Sequence, residues 1–111
     1  MSKLNVNDIG GIVVKDNDTY ILKDNTELNN LVLSSTWLKS GQSTRGHTHE
    51  GQEEVYVFVS GSGTMELDNQ KIDVSAGSII LIPDGAFHRV HNKRNDAGLY
   101  FICVFEGTRN H

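Results

Sequence analysis

The chain has 111 residues, enough for one hydrophobic core and too few for a second, so a single domain spanning residues 1–111 is expected. Ten basic against fourteen acidic side chains leave a formal charge of −4, which argues against general affinity for nucleic acid or an anionic membrane. The lone Cys103 cannot close an internal disulfide and reads as a small buried hydrophobe, and no run approaches the ~20 apolar residues that span a bilayer.

From the amino end, Met1 to Asp8 lack the apolar stretch of a secretory signal, so a cytoplasmic location is expected. Short runs rich in Val, Ile, Leu, Tyr and Phe then alternate with Asp, Asn, Gly and Ser clusters, at the spacing of an all-β sandwich or barrel. They predict strands at residues 11–14, 20–23, 31–39, 45–48, 55–60, 63–67, 71–74, 78–82, 88–91 and 99–106. Turns fall at 15–18, 24–25, 68–70 and 92–96, and no helical periodicity exceeds one turn.

Two of these strands are apolar on both faces. One carries Glu54, Tyr56 and Phe58 on one side and Val55, Val57 and Val59 on the other; the last alternates Leu99, Phe101, Cys103 and Phe105 with Tyr100, Ile102 and Val104. A strand apolar on both faces requires cover on both. In so small a chain the second cover is expected from another subunit or an exchanged N-terminal strand, which predicts a homodimer.

Two spaced patterns occupy the middle of the chain. The first is Gly41, five residues, His47, one residue, His49, four residues, Glu54, six residues, Gly61. The second is Gly77, five residues, Pro83-Asp84-Gly85, two residues, His88, three residues, Asn92. Imidazoles two apart on a strand share one face, so His47 and His49 can reach one ion. Glu54 shares the inward face with Tyr56 and Phe58, while the adjacent Glu53 points away. Gly61 and Gly63 suit a sharp bend or bulge. His91, three residues past His88, falls on the opposite face, and it and His111 are not expected to be ligands.

Across residues 41–92 these patterns resemble the two motifs of the cupin superfamily. The resemblance implies a small antiparallel β-barrel, a double-stranded β-helix or jelly roll, holding one divalent metal ion through His47, His49, Glu54 and His88. Zinc in such a four-ligand site would be saturated and structural. Manganese, iron, nickel or cobalt would keep two further positions for water, substrate or dioxygen.

Around that site, unbroken alternation would aim Arg45 into the barrel as a clamp for a carboxylate or phosphate, unless Gly46 introduces a bulge. Tyr56 is the candidate catalytic residue, its hydroxyl placed to orient a bound substrate or exchange a proton. Trp37, Phe58 and Phe101 read as core or pocket lining. The partner expected is a small polar or anionic molecule. The motif residues also resemble those of small cupins that act as sugar-phosphate isomerases; a non-haem iron dioxygenase, a lyase acting on a small carboxylate and a non-catalytic binding barrel fit the same residues.

Overall fold

The computed structural model describes residues 2–107; His111 lies outside them. Nine strands form among the described residues: β1 (Ile12–Asp16), β2 (Tyr20–Asn25), β3 (Leu31–Leu38), β4 (Glu54–Ser60), β5 (Ser62–Leu67), β6 (Gln70–Ser75), β7 (Ile79–Ile82), β8 (His88–His91) and β9 (Leu99–Glu106). They make a six-stranded sheet in the order β1-β2-β3-β9-β4-β7 and a three-stranded sheet in the order β6-β5-β8. Every pairing is antiparallel. The barrel is therefore the all-β architecture that the alternating pattern implies. No helix among the described residues is long and apolar enough to cross a membrane.

The core lies between the two sheets. Leu99, Phe101, Cys103 and Phe105 supply it from β9, Phe58 from β4, and Met65, Val74 and Val90 from the smaller sheet. Phe58 and Phe101 are almost fully buried, with ring centroids 5.1 Å apart. Each such ring contributes about 1.5–3 kcal/mol of burial.

The opposite face of β9 is covered partly by the same chain: Ile9, only 2% exposed, packs with Tyr100 and Ile102, and the Tyr100 hydroxyl donates to the Val6 carbonyl at 2.7 Å. Some of the cover expected from a partner is thus supplied by the N-terminal segment. The outer strand β1 is exposed throughout, and its register with β2 shifts between Val13 and Lys15.

Connections follow local chemistry. β4 turns into β5 through Gly61 at φ +90°, where a side chain would meet the Gly98 carbonyl oxygen at 2.5 Å. A register shift between Phe58 and Ser60 supplies the bend anticipated near this glycine.

Residues 45–48 are the exception to the predicted strands. Here the chain makes two isolated bridges, Ser43 to His91 and His47 to His88. Four steps on one side oppose three on the other, so one extra residue is accommodated between the bridges, next to Gly46. A side chain at Gly46 would lie 2.3 Å from the Phe87 ring. The aromatic ring packs where a side chain at position 46 would lie, so the close approach requires glycine.

Asn92, the last position of the second motif, is 1% exposed. Its amide donates to the carbonyls of Leu38, Lys39 and Ala97 at 3.1, 3.3 and 2.9 Å, and its side-chain oxygen accepts from the Arg94 amide at 3.2 Å. One side chain thus joins the end of β3 to the loop before β9. Asn92→Ala would leave buried carbonyls unsatisfied and is expected to lower stability by about 1–3 kcal/mol. Equilibrium urea unfolding measures this, and an unchanged midpoint would refute the role.

Candidate metal centre

Glu54 opens β4 with its carboxylate facing the barrel interior, and His88 opens β8 opposite it. His47 and His49 come from the irregular segment before β4, held beside His88 by reciprocal backbone bonds: His47 N–H to the His88 carbonyl at 3.0 Å, and His88 N–H to the His47 carbonyl at 2.9 Å. The Gly85 amide donates to the His49 carbonyl at 3.0 Å, fixing the far side of this segment. Although no regular strand carries them, the two imidazoles stack, centroids 5.5 Å apart and planes 23° apart. Both line the interior cavity.

His49, Glu54 and His88 each offer a donor atom, and these atoms all lie within 4.8 Å of one another. That His-Glu-His cluster could hold a metal ion. The His47 ring stands beside it, 5.5 Å from the His49 ring and 6.0 Å from that of His88.

The donor chemistry fits a cation. A carbonyl only accepts, so His88 Nδ1, 3.1 Å from the Ala86 oxygen, carries the hydrogen in the neutral ring and leaves Nε2 with its lone pair. Nε2 is buried and has no hydrogen-bond partner among the described residues, Glu54 Oε2 being 3.4 Å away. A lone pair facing a carboxylate that is 7% exposed is an arrangement a shared cation or proton relieves.

Proton affinity divides between the imidazoles. Burial, followed by the charges of His49 and His88, pushes His47 down to about 4; Arg45 adds to this and Glu54 opposes it. For His88, burial works downward but is outweighed by the Glu54 carboxylate and the Ala86 carbonyl, and the pKa is raised above 6.5. His47 therefore stays a neutral donor to about pH 4, while a proton competes for His88 at much higher pH. Cobalt(II) affinity is expected to fall as pH is lowered through the His88 pKa, by up to about tenfold per pH unit for one competing proton. Calorimetric titration between about pH 8 and about pH 5 checks this, and pH-independent affinity would contradict it.

His47, His49, Glu54 and His88 line a cavity of about 50 Å³. Tyr20, Ser34, Thr36 and Tyr56 line it together with Phe101 and Cys103, and no lysine or arginine is among its described lining residues. Tyr56 stacks on Phe101 at 5.3 Å and meets His88 edge-on at 5.7 Å. Arg45 is exposed and does not line the cavity, because the extra residue beside Gly46 breaks the alternation that would have turned it inward.

Sequence reasoning missed Ser34 and Thr36. Their signal lies in the period of two: in β3 they share a face with the buried Val32 and Leu38, so a polar pair sits on the inward face. Cys103, a small buried hydrophobe by its sequence context, is buried in the cavity wall.

A barrel of this topology enclosing a His-Glu-His cluster that could hold a metal is the arrangement of a cupin, and the cupin domain model matches residues 36–105; the chain belongs to that family. It is 32% identical over 95 residues to the uncharacterized protein MJ1618 of Methanocaldococcus jannaschii, covering 76% of this chain and 75% of that one. It is 30% identical over 67 residues to an oxalate-binding protein of Thermotoga maritima, covering 60% of this chain and only 54% of that protein. Among solved structures, an uncharacterized double-stranded β-helix protein from Klebsiella pneumoniae superposes with a TM-score of 0.80 at 20% identity, covering 96% of this chain and 90% of that one.

Proposed function

We propose that the protein binds one divalent transition-metal ion through His49, Glu54 and His88, with His47 as the fourth donor, and acts on a small carboxylate of about the size of oxalate. The observation that carries this reading is the cavity of about 50 Å³, lined by His47, His49, Glu54 and His88 together with Tyr20, Ser34, Thr36 and Tyr56. Such a space admits roughly four waters. A compact carboxylate fits this space, which supports the lyase or binding reading. The similarity to an oxalate-binding protein points the same way.

A bound ion would supply Lewis acidity and a matching positive charge for the guest. The chain supplies the rest. Hydroxyls of Tyr20, Ser34 and Thr36 orient the guest's oxygens by hydrogen bonding, and Phe101 and Phe105 limit water in the cavity. Tyr56, packed against Phe101 and edge-on to His88, presents a phenol beside the ligands and is the candidate to hold or transfer a proton.

The deciding experiment is metal analysis by mass spectrometry, followed by calorimetry with oxalate and a carbon dioxide assay on the loaded protein. Oxalate is expected to bind only in the loaded form, and His88→Ala to lose most of the metal while staying folded. Full metal content in His88→Ala, or tight binding of a hexose phosphate with none of oxalate, would end this reading.

We also infer that two copies associate through the outer face of the large sheet. Leu81, Val55, Val104 and Leu33 are neighbours in one row across four strands, and Ile79 and Val57 form the next, whose neighbour Ile102 is already covered by Ile9. Leu81 is 68% and Ile79 61% exposed. An uncharged patch of this breadth is typical of a contact surface. Leu81→Lys, which needs no change in the core, is expected to shift a dimer to monomer in light scattering; an unaltered mass would dispose of the interface.

A further inference from the structure

A second histidine constellation lies outside the barrel interior. His91 Nδ1 is 2.6 Å from Ser43 Oγ, and its Nε2 is 2.5 Å from Glu66 Oε1. The three side chains come from separate parts of the fold: Ser43 from the irregular segment before β4, Glu66 from β5, His91 from β8. Glu66 pairs with Arg89 in the sheet, so it meets His91 diagonally on the outer face.

The hydrogens in this chain are assigned by elementary chemistry. An ionised carboxylate only accepts, so His91 Nε2–H donates to Glu66. In the neutral ring Nδ1 is then the acceptor, and the Ser43 hydroxyl donates to it. Glu66 thus fixes the tautomer and orientation of His91, and His91 holds Ser43.

Ser43 stands at the entrance to the stretch that carries His47 and His49. That entrance is tied to β8 and the residues after it by Asn92 N–H to the Gln42 carbonyl and Thr44 N–H to the Val90 carbonyl, both at 2.8 Å, by Val90 N–H to Thr44 Oγ1 at 2.9 Å, and by Arg89 Nε–H to the Thr44 carbonyl at 2.8 Å. The stretch then takes up its extra residue beside Gly46 before reaching His47. A bulge so close to a ligand is a place where the chain can slip, and the Ser43-His91-Glu66 link lies immediately before it.

We propose that Glu66 and His91 form an external clamp that, through Ser43, holds the bulged segment in register with β8 and so positions His47 and His49 for the metal. The clamp rests on the metal reading for its purpose but not for its existence. His91 is a positioning residue, acting through another residue and not on the ion.

Two measurements separate these. Amide hydrogen exchange on the metal-free protein reads the clamp: His91→Phe is expected to speed exchange at Thr44 and His47 at least about tenfold, with β9 amides unchanged. Ser43→Ala, a smaller change, should do the same if His91→Phe folds poorly, and Ser43→Thr, which keeps the hydroxyl, should restore slow exchange. Cobalt(II) titration reads the purpose: the same variants should weaken binding about tenfold and alter the cobalt visible absorption, which reports the ligand set. Unchanged exchange at Thr44 and His47 in Ser43→Ala would overturn the clamp. Faster exchange with wild-type cobalt affinity and spectrum would overturn its positioning role. Failure of the wild-type protein to bind cobalt(II) would instead remove the metal reading, the exchange result still deciding the clamp.

Discussion

A carboxylate kept almost out of water beside three imidazoles is the constraint on which this structure turns. Glu54, only slightly exposed, has His88 and His49 within 3.4 and 3.8 Å. Burying such a charge alone costs several kcal/mol, so the surrounding groups must supply compensation from fixed positions. Those positions come from different parts of the chain. β4 delivers the acid, β8 delivers His88, and the His47–His88 backbone pair brings in the remaining imidazoles without a regular strand. The rest of the barrel is scaffolding for this convergence: the aromatic packing of Phe58, Phe101 and Tyr56 fixes the wall behind it.

Most of the fold is legible in the sequence because strand faces alternate with period two and turns announce themselves chemically. The dyad in β4 correctly puts Glu54 and Phe58 inside. The ligand segment is less legible for the same reason. Alternation assumes an unbroken ladder, and a single inserted residue beside Gly46 reverses parity. That reversal leaves Arg45 at the surface, where its charge acts on His47 from outside, and it removes the strand expected at 45–48. The sequence shows the glycine but not the Phe87 ring that packs against it, since that contact joins distant positions.

Long-range hydrogen bonding was equally invisible. Asn92 belongs to the second spaced pattern, yet nothing in the spacing says that it closes the end of β3 against the loop leading to β9. The Ser43-His91-Glu66 link has no local signature at all, because its members lie 25 and 48 positions apart. Cover for β9 was expected from outside the chain and comes in part from Ile9, through a segment whose composition does not suggest it. Periodicity reports which face a side chain takes; it is silent on what meets that face.

The irregular register of β1 has a consequence for how the molecule coexists with its own copies. An outermost strand with free amides and carbonyls is a template on which further strands can grow without limit. Here the template is spoiled: the ladder skips between Val13 and Lys15, and a charged Lys15-Asp16 pair follows the apolar Ile12-Val13-Val14 run. The kink and the charges make a flat, endless stack of sheets unfavourable at a place where three apolar residues would otherwise invite it.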